Sequence, residues 1–572
     1  MPQGKDFFFY GRRGASAVHE RCNRMQSIQI RYICDGEQRV ANERDDRVRA
    51  VCEQDGAIAS CTVYAERTVE LISVTLASQT AYEQDDTVFV NGYQSWTYSP
   101  ERAIDSVQRG LLGLSNTPLG RKYASASGDY AFAPYGRKGC FHGYTYGYRR
   151  RADRLLLVGS LCDREGFTRV EFDTSTAQIR LVRDLQGKTL RAGESTLGAR
   201  FGVYEGGYDE TFDAYFKDLG VSPRTDEQLN GYTSWYNYFG NIDETILRRD
   251  LDGLSGMADA ANIFQIDDGW QSKVGDWMVL RAPQFRDMKA LADDVHARGY
   301  RAGLWLAPTL CAKDSRIAKE HADWLVRDPR NGKPVLGAIA WGGAYVLDIC
   351  NEQARAYLRR VFDTVLNEWG YDLVKLDFLY SSCMIPRDGK TRGELMAMTV
   401  DFLRACCGDR RILGCGVPLG SCWGVFDYCR VGCDVDLKYR DAWYKRHTNQ
   451  EMVSTPHAIA DSVFRRHLHG RAFVNDPDVM FLRQDNLRYT ELQKCVLASI
   501  NAWTGGVHFV SDDIGAYSEQ ARALLQTVWG GQVGRLTDAR LRGGVLQIEY
   551  SDDNGHNVLC LDLKTGEICN PV

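Results

Sequence analysis

Two carboxylates in the chain stand where a reaction could be run. Asp377 follows Lys375 at a spacing of two in the run Tyr371-Asp372-Leu373-Val374-Lys375-Leu376-Asp377-Phe378. An apolar run of this kind reads as a buried strand, and side-chain alternation puts Lys375 and Asp377 on one face. A neighbouring ammonium favours the charged form of a carboxylate. Asp434 closes a second run, Arg430-Val431-Gly432-Cys433-Asp434, on a loop beyond a glycine and in a less obviously cationic setting. One carboxylate that attacks a carbon, and one carboxyl that gives its proton to a leaving oxygen, are the minimal apparatus for cleaving a glycosidic bond. A Lys-x-Asp pair on a strand is by itself more often structural than catalytic. Asp436 and Asp478 compete with Asp434 for the acid role, and Arg430 has an alternative use in binding a sugar.

What must position these residues is a set of strands. Eight short apolar runs follow residue 220: Gly231–Trp235, Asn262–Asp267, Arg301–Leu306, Leu373–Phe378, Ile412–Gly416, Tyr428–Gly432, Ala472–Asn475 and Val507–Val510. Amphipathic segments with helical spacing separate several of them, among them Ile242–Leu254, Glu352–Trp369 and Arg392–Cys406. Eight such units in roughly 250–300 residues predict a (β/α)8 barrel, whose active site lies at the C-terminal ends of the strands. Polar residues cluster at those ends: Asp267 and Asp268, Asp377, Asp434 and Asp436, Asp476 and Asp478, Asp512 and Asp513, with Trp235 and Trp305 ending the first and third runs. Carboxylates accept hydrogen bonds from hydroxyls, and indole faces cover the C–H side of a pyranose. Asp267-Asp268 and Asp512-Asp513 also fit helix caps, and Cys415 alone fits a small core residue. The long excursion between Leu306 and Leu373 is expected to carry a substrate loop.

The rest of the chain reads as β-structure. Alternating runs at Ser27–Cys34, Thr68–Leu76, Thr87–Val90, Arg154–Val158 and Ala177–Val182 predict an N-terminal β-sandwich over residues 1–220. It ends in a linking helix, Tyr208–Leu219, that Pro223 prevents from continuing. The barrel takes 221–528, and short strands at Arg535–Thr537, Val545–Tyr550 and Asn557–Leu561 predict a small C-terminal β-domain over 529–572. Of 572 residues, 44% are hydrophobic and 25% charged, and the net charge is −5, which places the chain among soluble globular proteins. No basic stripe points to nucleic acid or to an anionic membrane surface. The first residues, MPQGKDFFFYGRRGAS, read as no signal peptide. The 18 cysteines show no disulfide framework and lack the paired C-x-x-C spacing of a zinc site, so they read as free thiols in the cytoplasm, and no metal or cofactor is expected.

With those residues in view, the chain resembles family 36 of the glycoside hydrolases, the bacterial α-galactosidases, in a clan with α-N-acetylgalactosaminidases. The resemblance rests on Asn91-Gly92-Tyr93-Gln94-Ser95-Trp96, Phe264-Gln265-Ile266-Asp267-Asp268-Gly269, Gly275-Asp276-Trp277, Gly303-Leu304-Trp305-Leu306-Ala307-Pro308, Lys375-Leu376-Asp377-Phe378, Leu413-Gly414-Cys415-Gly416, Arg430-Val431-Gly432-Cys433-Asp434 and Asn475-Asp476-Pro477-Asp478, in that order. It implies a retaining double displacement without a metal, with Asp377 as nucleophile and Asp434 as acid/base. It further implies that Asp267 and Asp268 bind the O4 and O6 hydroxyls and that Lys375 and Arg430 bind ring hydroxyls. Trp305 would line the sugar pocket, Cys415 and Gly416 would border the 2-position, and Trp96 would reach from the sandwich to narrow the mouth. The segment Val417–Trp423 varies near the 2-substituent, so galactose and N-acetylgalactosamine are not separated by the sequence. The expected partner is a small oligosaccharide or glycan; a homo-oligomer and transglycosylation are compatible with the same machinery.

Overall fold

The structure is a computed structural model that describes residues 27–257, 260–445 and 448–570. The N-terminal aromatic segment read above for a leader lies outside the described residues. From Ser27 the chain builds two seven-stranded sheets packed face to face. Ser27–Cys34 pairs antiparallel with both Glu37–Asn42 and Val69–Gln79, and buries Ile30, Tyr32 and Cys34 on alternate positions. The second sheet runs from Val48–Asp55 through Ser195–Gly206, Arg154–Ser160 and Thr87–Val90 to Arg102–Ala103. Branched and aromatic side chains from both sheets, such as Val74 and Phe172 from the first and Val63 and Phe201 from the second, fill the layer between them. The helix Tyr208–Leu219 follows, and Gly220 ends it in the left-handed region that a glycine adopts without strain.

The central sheet has eight parallel strands, labelled here β1 (Leu229–Thr233), β2 (Ile263–Ile266), β3 (Arg301–Leu306), β4 (Leu373–Leu376), β5 (Arg411–Gly414), β6 (Tyr428–Arg430), β7 (Val474–Asp476) and β8 (Val507–Val510). Neighbours pair in order, and β8 returns to β1. The gap between β7 and β8 is bridged by Gly506 N–H to Asn475 O (3.0 Å) and by Met480 N–H to Phe509 O (3.0 Å), which closes the barrel. The expected (β/α)8 barrel is therefore the observed architecture. Helices follow seven of the strands, whereas β5 and β6 are joined without one, through the short turn Leu419–Ser421.

Two local departures have physical causes. The helix after the β3–β4 excursion is α-helical only over Glu352–Asp363 and widens by one residue per turn over Thr364–Glu368, with Trp369 N–H reaching Thr364 O at 2.8 Å. The widened turn delivers Trp369 edge-on to Trp270, with ring centroids 5.7 Å apart. The excursion itself folds as a three-stranded antiparallel sheet of Leu310–Ala312, Ala344–Val346 and Leu336–Ala338, whose tip carries Trp341. A four-stranded antiparallel sheet, from Arg535–Arg542 to Glu567–Ile568, follows the barrel. No helix among the described residues is long and apolar enough to cross a membrane.

Candidate active site

Asp377 sits one residue beyond β4 and is 7% exposed. Its amide donates to Leu306 O at 2.9 Å, which fixes it in line with the strand. The next residue, Phe378, takes a left-handed backbone (φ 56°, ψ 30°) that costs a non-glycine residue roughly 1–2 kcal/mol. That turn brings the Phe378 N–H onto Asp377 Oδ1 at 2.7 Å, while Trp305 Nε1–H donates to Oδ2 at 3.2 Å. Both carboxylate oxygens thus face N–H donors. Gly416, at φ 56°, lies against the same turn: a Cβ there would stand 3.1 Å from Phe378 N and 3.3 Å from Asp377 Oδ1.

Lys375 does not take Asp377 as its partner, as the strand spacing suggested. Its Nζ reaches across β3 to Asp267 Oδ2 at 2.8 Å. Burial works against the ammonium, but Asp267 outweighs it and the Lys375 pKa is raised. Asp267 Oδ2 also accepts from Gln265 Nε2 at 3.1 Å. Asp268 accepts from Gln271 Nε2 at 2.6 Å and from Trp341 Nε1 at 2.8 Å. Burial raises its pKa against those two hydrogen bonds.

The second carboxylate is set differently. Asp434 Oδ1 accepts from Arg430 Nη1 at 2.7 Å, so its setting is cationic after all. Burial nonetheless raises its pKa; Arg430 and Lys375 oppose the rise, and the charge of Asp377 adds to it. Arg430 is committed to three carboxylates: Asp434, Asp476 Oδ2 (Nε, 3.1 Å) and Asp478 Oδ1 (Nη2, 2.7 Å), the last an ion pair without good hydrogen-bond alignment. Asp478 is fully buried beneath it, accepts from Tyr236 O–H and from Val435 N (2.8 Å), and burial pushes its pKa up to about 7. Asp436 is paired with Lys445. Asp512 is bound by Arg483, and Asp513 caps the turn Ile514–Ala516.

The sandwich contributes one wall. Trp96 Nε1–H donates to Cys415 Sγ at 3.3 Å, and its ring lies 6.3 Å from that of Phe378. Burial holds the Cys415 thiol well above its ordinary pKa. Ser95 N–H donates to Val417 O at 3.0 Å. Behind this contact Arg465, wholly buried, donates to Asn91 Oδ1 (3.0 Å), Ser95 O (2.7 Å), Thr97 O (3.1 Å), Ser99 Oγ (2.8 Å) and, on the barrel side, Val431 O (2.7 Å).

Trp235 stands just beyond the end of the first barrel strand. β1 ends at Thr233, two residues early, and Trp235 opens a helical turn in which it packs edge-on against Phe239 at 5.3 Å. Its neighbour Tyr236 donates its hydroxyl hydrogen to Asp478. Trp341 is the residue sequence reasoning missed: it binds Asp268 and packs 6.0 Å from Trp305 and 5.2 Å from Phe378. The turn signal Trp341-Gly342-Gly343 was its one trace in the sequence.

A buried carboxylate with two N–H donors and a second carboxyl biased towards its protonated form can divide the work of nucleophile and acid. Comparison with known proteins finds glycosidases. The family model for melibiase matches residues 237–392. An A type blood alpha-D-galactosamine galactosaminidase of Flavonifractor plautii is 29% identical over 255 residues, 40% of this chain and 23% of that protein. An alpha-galactosidase of Lactobacillus acidophilus is 28% identical over 151 residues, 25% of this chain and 20% of that protein. The chain thus spans less than a quarter of the length of these curated relatives. Among solved structures, the alpha-galactosidase of Thermus thermophilus in complex with stachyose is 25% identical, covers 87% of this chain and 99% of its own, and superposes with a TM-score of 0.67. Taken together, the barrel, the ordered motifs and these likenesses make the chain similar to the α-galactosidases of family 36 of the glycoside hydrolases.

Proposed function

We propose that the protein is a retaining α-galactosidase that removes terminal α-linked galactose by double displacement. In the first step an oxygen of Asp377 bonds to the anomeric carbon as the glycosidic C–O bond breaks, and Asp434 gives its proton to the departing oxygen. In the second, Asp434 takes a proton from water, which attacks the same carbon and frees Asp377. The observation that carries this reading is the contrast between the two groups: Asp377 accepts two N–H donors, whereas burial biases Asp434 towards its protonated form. Asp267 and Asp268 read the hydroxyls, where a sugar of the wrong configuration would leave a buried acceptor unpaired. Residues 221–528 are taken as the catalytic unit, with 1–220 supplying Trp96 and 529–572 as a C-terminal β-domain. Free thiols at every described cysteine suit a reducing cytoplasm.

The test is to trap the enzyme with a slow fluorinated galactosyl donor and map the adduct by mass spectrometry. The label is expected on the peptide holding Asp377 and absent from Asp377→Asn. A label on any other peptide refutes the mechanism. A second reading, α-N-acetylgalactosaminidase, is favoured by the similarity to the Flavonifractor plautii galactosaminidase. Release of nitrophenol from the two matched aryl glycosides decides between them.

A further inference from the structure

Between the sandwich and the β3–β4 excursion lies a cavity of about 770 Å³. Small-ligand sites usually measure roughly 300–1,000 Å³. Residues between 122 and 132 form one side, Lys313 and the stretch 328–345 of the excursion the other, and 384–386 close one end. Apolar groups such as Phe132, Val335, Leu336 and Tyr345 contribute to its walls. Its charged residues are nearly all of one sign: Lys122, Lys313, Arg330 and Lys333 against a single carboxylate, Asp328. Arg330 already holds that carboxylate at both oxygens, Nε to Oδ1 at 3.0 Å and Nη2 to Oδ2 at 2.8 Å.

Three ammoniums are left over. Among the described residues Lys122, Lys313 and Lys333 form no ion pair; Lys122 and Lys313 lie over the rings of Tyr123 (6.0 Å) and Tyr345 (5.7 Å). The acid beside Lys313 in the chain, Asp314, is taken by Lys273 at 2.7 Å, and its backbone oxygen by Lys319 at 2.7 Å. In a chain of net charge −5 this is a concave surface with an unbalanced positive charge. A cleft lined by one sign of charge concentrates ions of the other sign, and an anion set among like charges relieves their repulsion. Ala126 lines both this cavity and a neighbouring one, of about 490 Å³, that opens on Asp377 and Gly416. A glycan held at one therefore lies beside the other. We propose that the cavity is a second carbohydrate site, apart from the catalytic carboxylates, and that it takes an oligosaccharide bearing carboxylate or sulfate groups, with the three ammoniums as anchors. That the ligand is a carbohydrate rests on the galactosidase reading above; that it is an anion does not.

The test is titration calorimetry of the full chain with three tetrasaccharides of one backbone: chondroitin 4-sulfate, its desulfated form, which keeps only carboxylates, and the desulfated, carboxyl-reduced form, which is neutral. Their β-linkages keep them out of the proposed reaction. At least one charged form is expected to bind tenfold or more tighter than the neutral one, and less tightly as salt is added. Tight binding of the desulfated form assigns the carboxylate; tight binding of the sulfated form alone assigns the sulfate ester. Lys313→Gln/Lys333→Gln, a double variant of exposed side chains, should weaken the charged ligand at least tenfold and leave kcat/KM for nitrophenyl α-galactoside unchanged. Equal affinity for all three forms, no binding of any, or charged binding that the double variant leaves intact overturns the proposal. Hydrolysis of the nitrophenyl glycoside reports the galactosidase reading separately, so either can fail while the other stands.

Discussion

Glu451 offers a direct measurement of how the sandwich and the barrel loop are held together. It lies on the loop 448–453, is buried, and accepts hydrogen bonds from Thr97 and Tyr130 of the sandwich. Burial raises its pKa from 4.5 to about 7, against the hydrogen bond from Tyr130 and with help from the charge of Asp129. In the unfolded chain the carboxyl has its ordinary pKa, so between about pH 4.5 and 7 the native state holds the proton more tightly. The native state binds more protons in that window, so stability falls as pH rises through it and levels off above 7. A shift from 4.5 to about 7 amounts to roughly 3 kcal/mol at about 1.4 kcal/mol per unit. Glu451→Gln keeps the group neutral at every pH, and the Thr97 hydroxyl can turn to accept the new N–H. The variant should therefore melt near the wild type at pH 4.5 and progressively above it towards pH 8. With an unfolding entropy of about 2.1 cal/mol/K per residue, a chain of 572 residues shifts by roughly 0.8 °C per kcal/mol, so the gap in Tm should reach roughly 2–3 °C. Differential scanning calorimetry across that range checks it. Taking the difference between the two proteins cancels Asp478, which burial pushes to about 7, whereas the charge of Glu451 helps raise Asp461, so that group adds to the gap in the same direction. A gap that does not grow with pH, or a variant that melts below the wild type at pH 8, refutes the reasoning.

Two other substitutions test the pairings around the nucleophile. Lys375→Met leaves Asp267 buried without its cation and should cost about 3–5 kcal/mol in thermal or denaturant unfolding, with Asp267→Asn in the same chain restoring part of the loss. Trp341→Phe removes the N–H on Asp268 while keeping an aromatic ring, and should lower kcat/KM roughly tenfold to a hundredfold in steady-state assays, since a hydrogen bond to a charged acceptor is worth about 1.5–3 kcal/mol.

The barrel strands were legible because each is a short apolar run bounded by polar residues, and every expected end lies within two residues of the observed one. The carboxylates were legible for the same reason: the residue after a buried strand is where polarity returns, as at Asp267 after Ile266 and Asp377 after Leu376. Partnership was not legible. Alternation puts Lys375 on the face of Asp377, but it says nothing of a carboxylate two strands away, and Asp267 is the one it reaches. Arg430 likewise gathers acids from the loops after both β6 and β7, a convergence that no linear spacing encodes. The end of β1 was read two residues late because the aromatic run Trp235-Tyr236 continues the texture of the strand after the chain has already turned into a helix. Trp341 escaped because the excursion that presents it has strands of three residues each, too short for a period to register.

Arg465 carries a consequence for how such a protein can be inherited. Its guanidinium is spent almost wholly on backbone and side-chain acceptors of residues 91–99. A crossover that exchanged the N-terminal sheets for those of a distant cousin would strand a desolvated cation at the seam unless the incoming loop offered the same acceptors. Sheets and barrel are therefore expected to travel through lineages as a single heritable block, and chimaeras joined near residue 220 should need both sides of that seam from one parent.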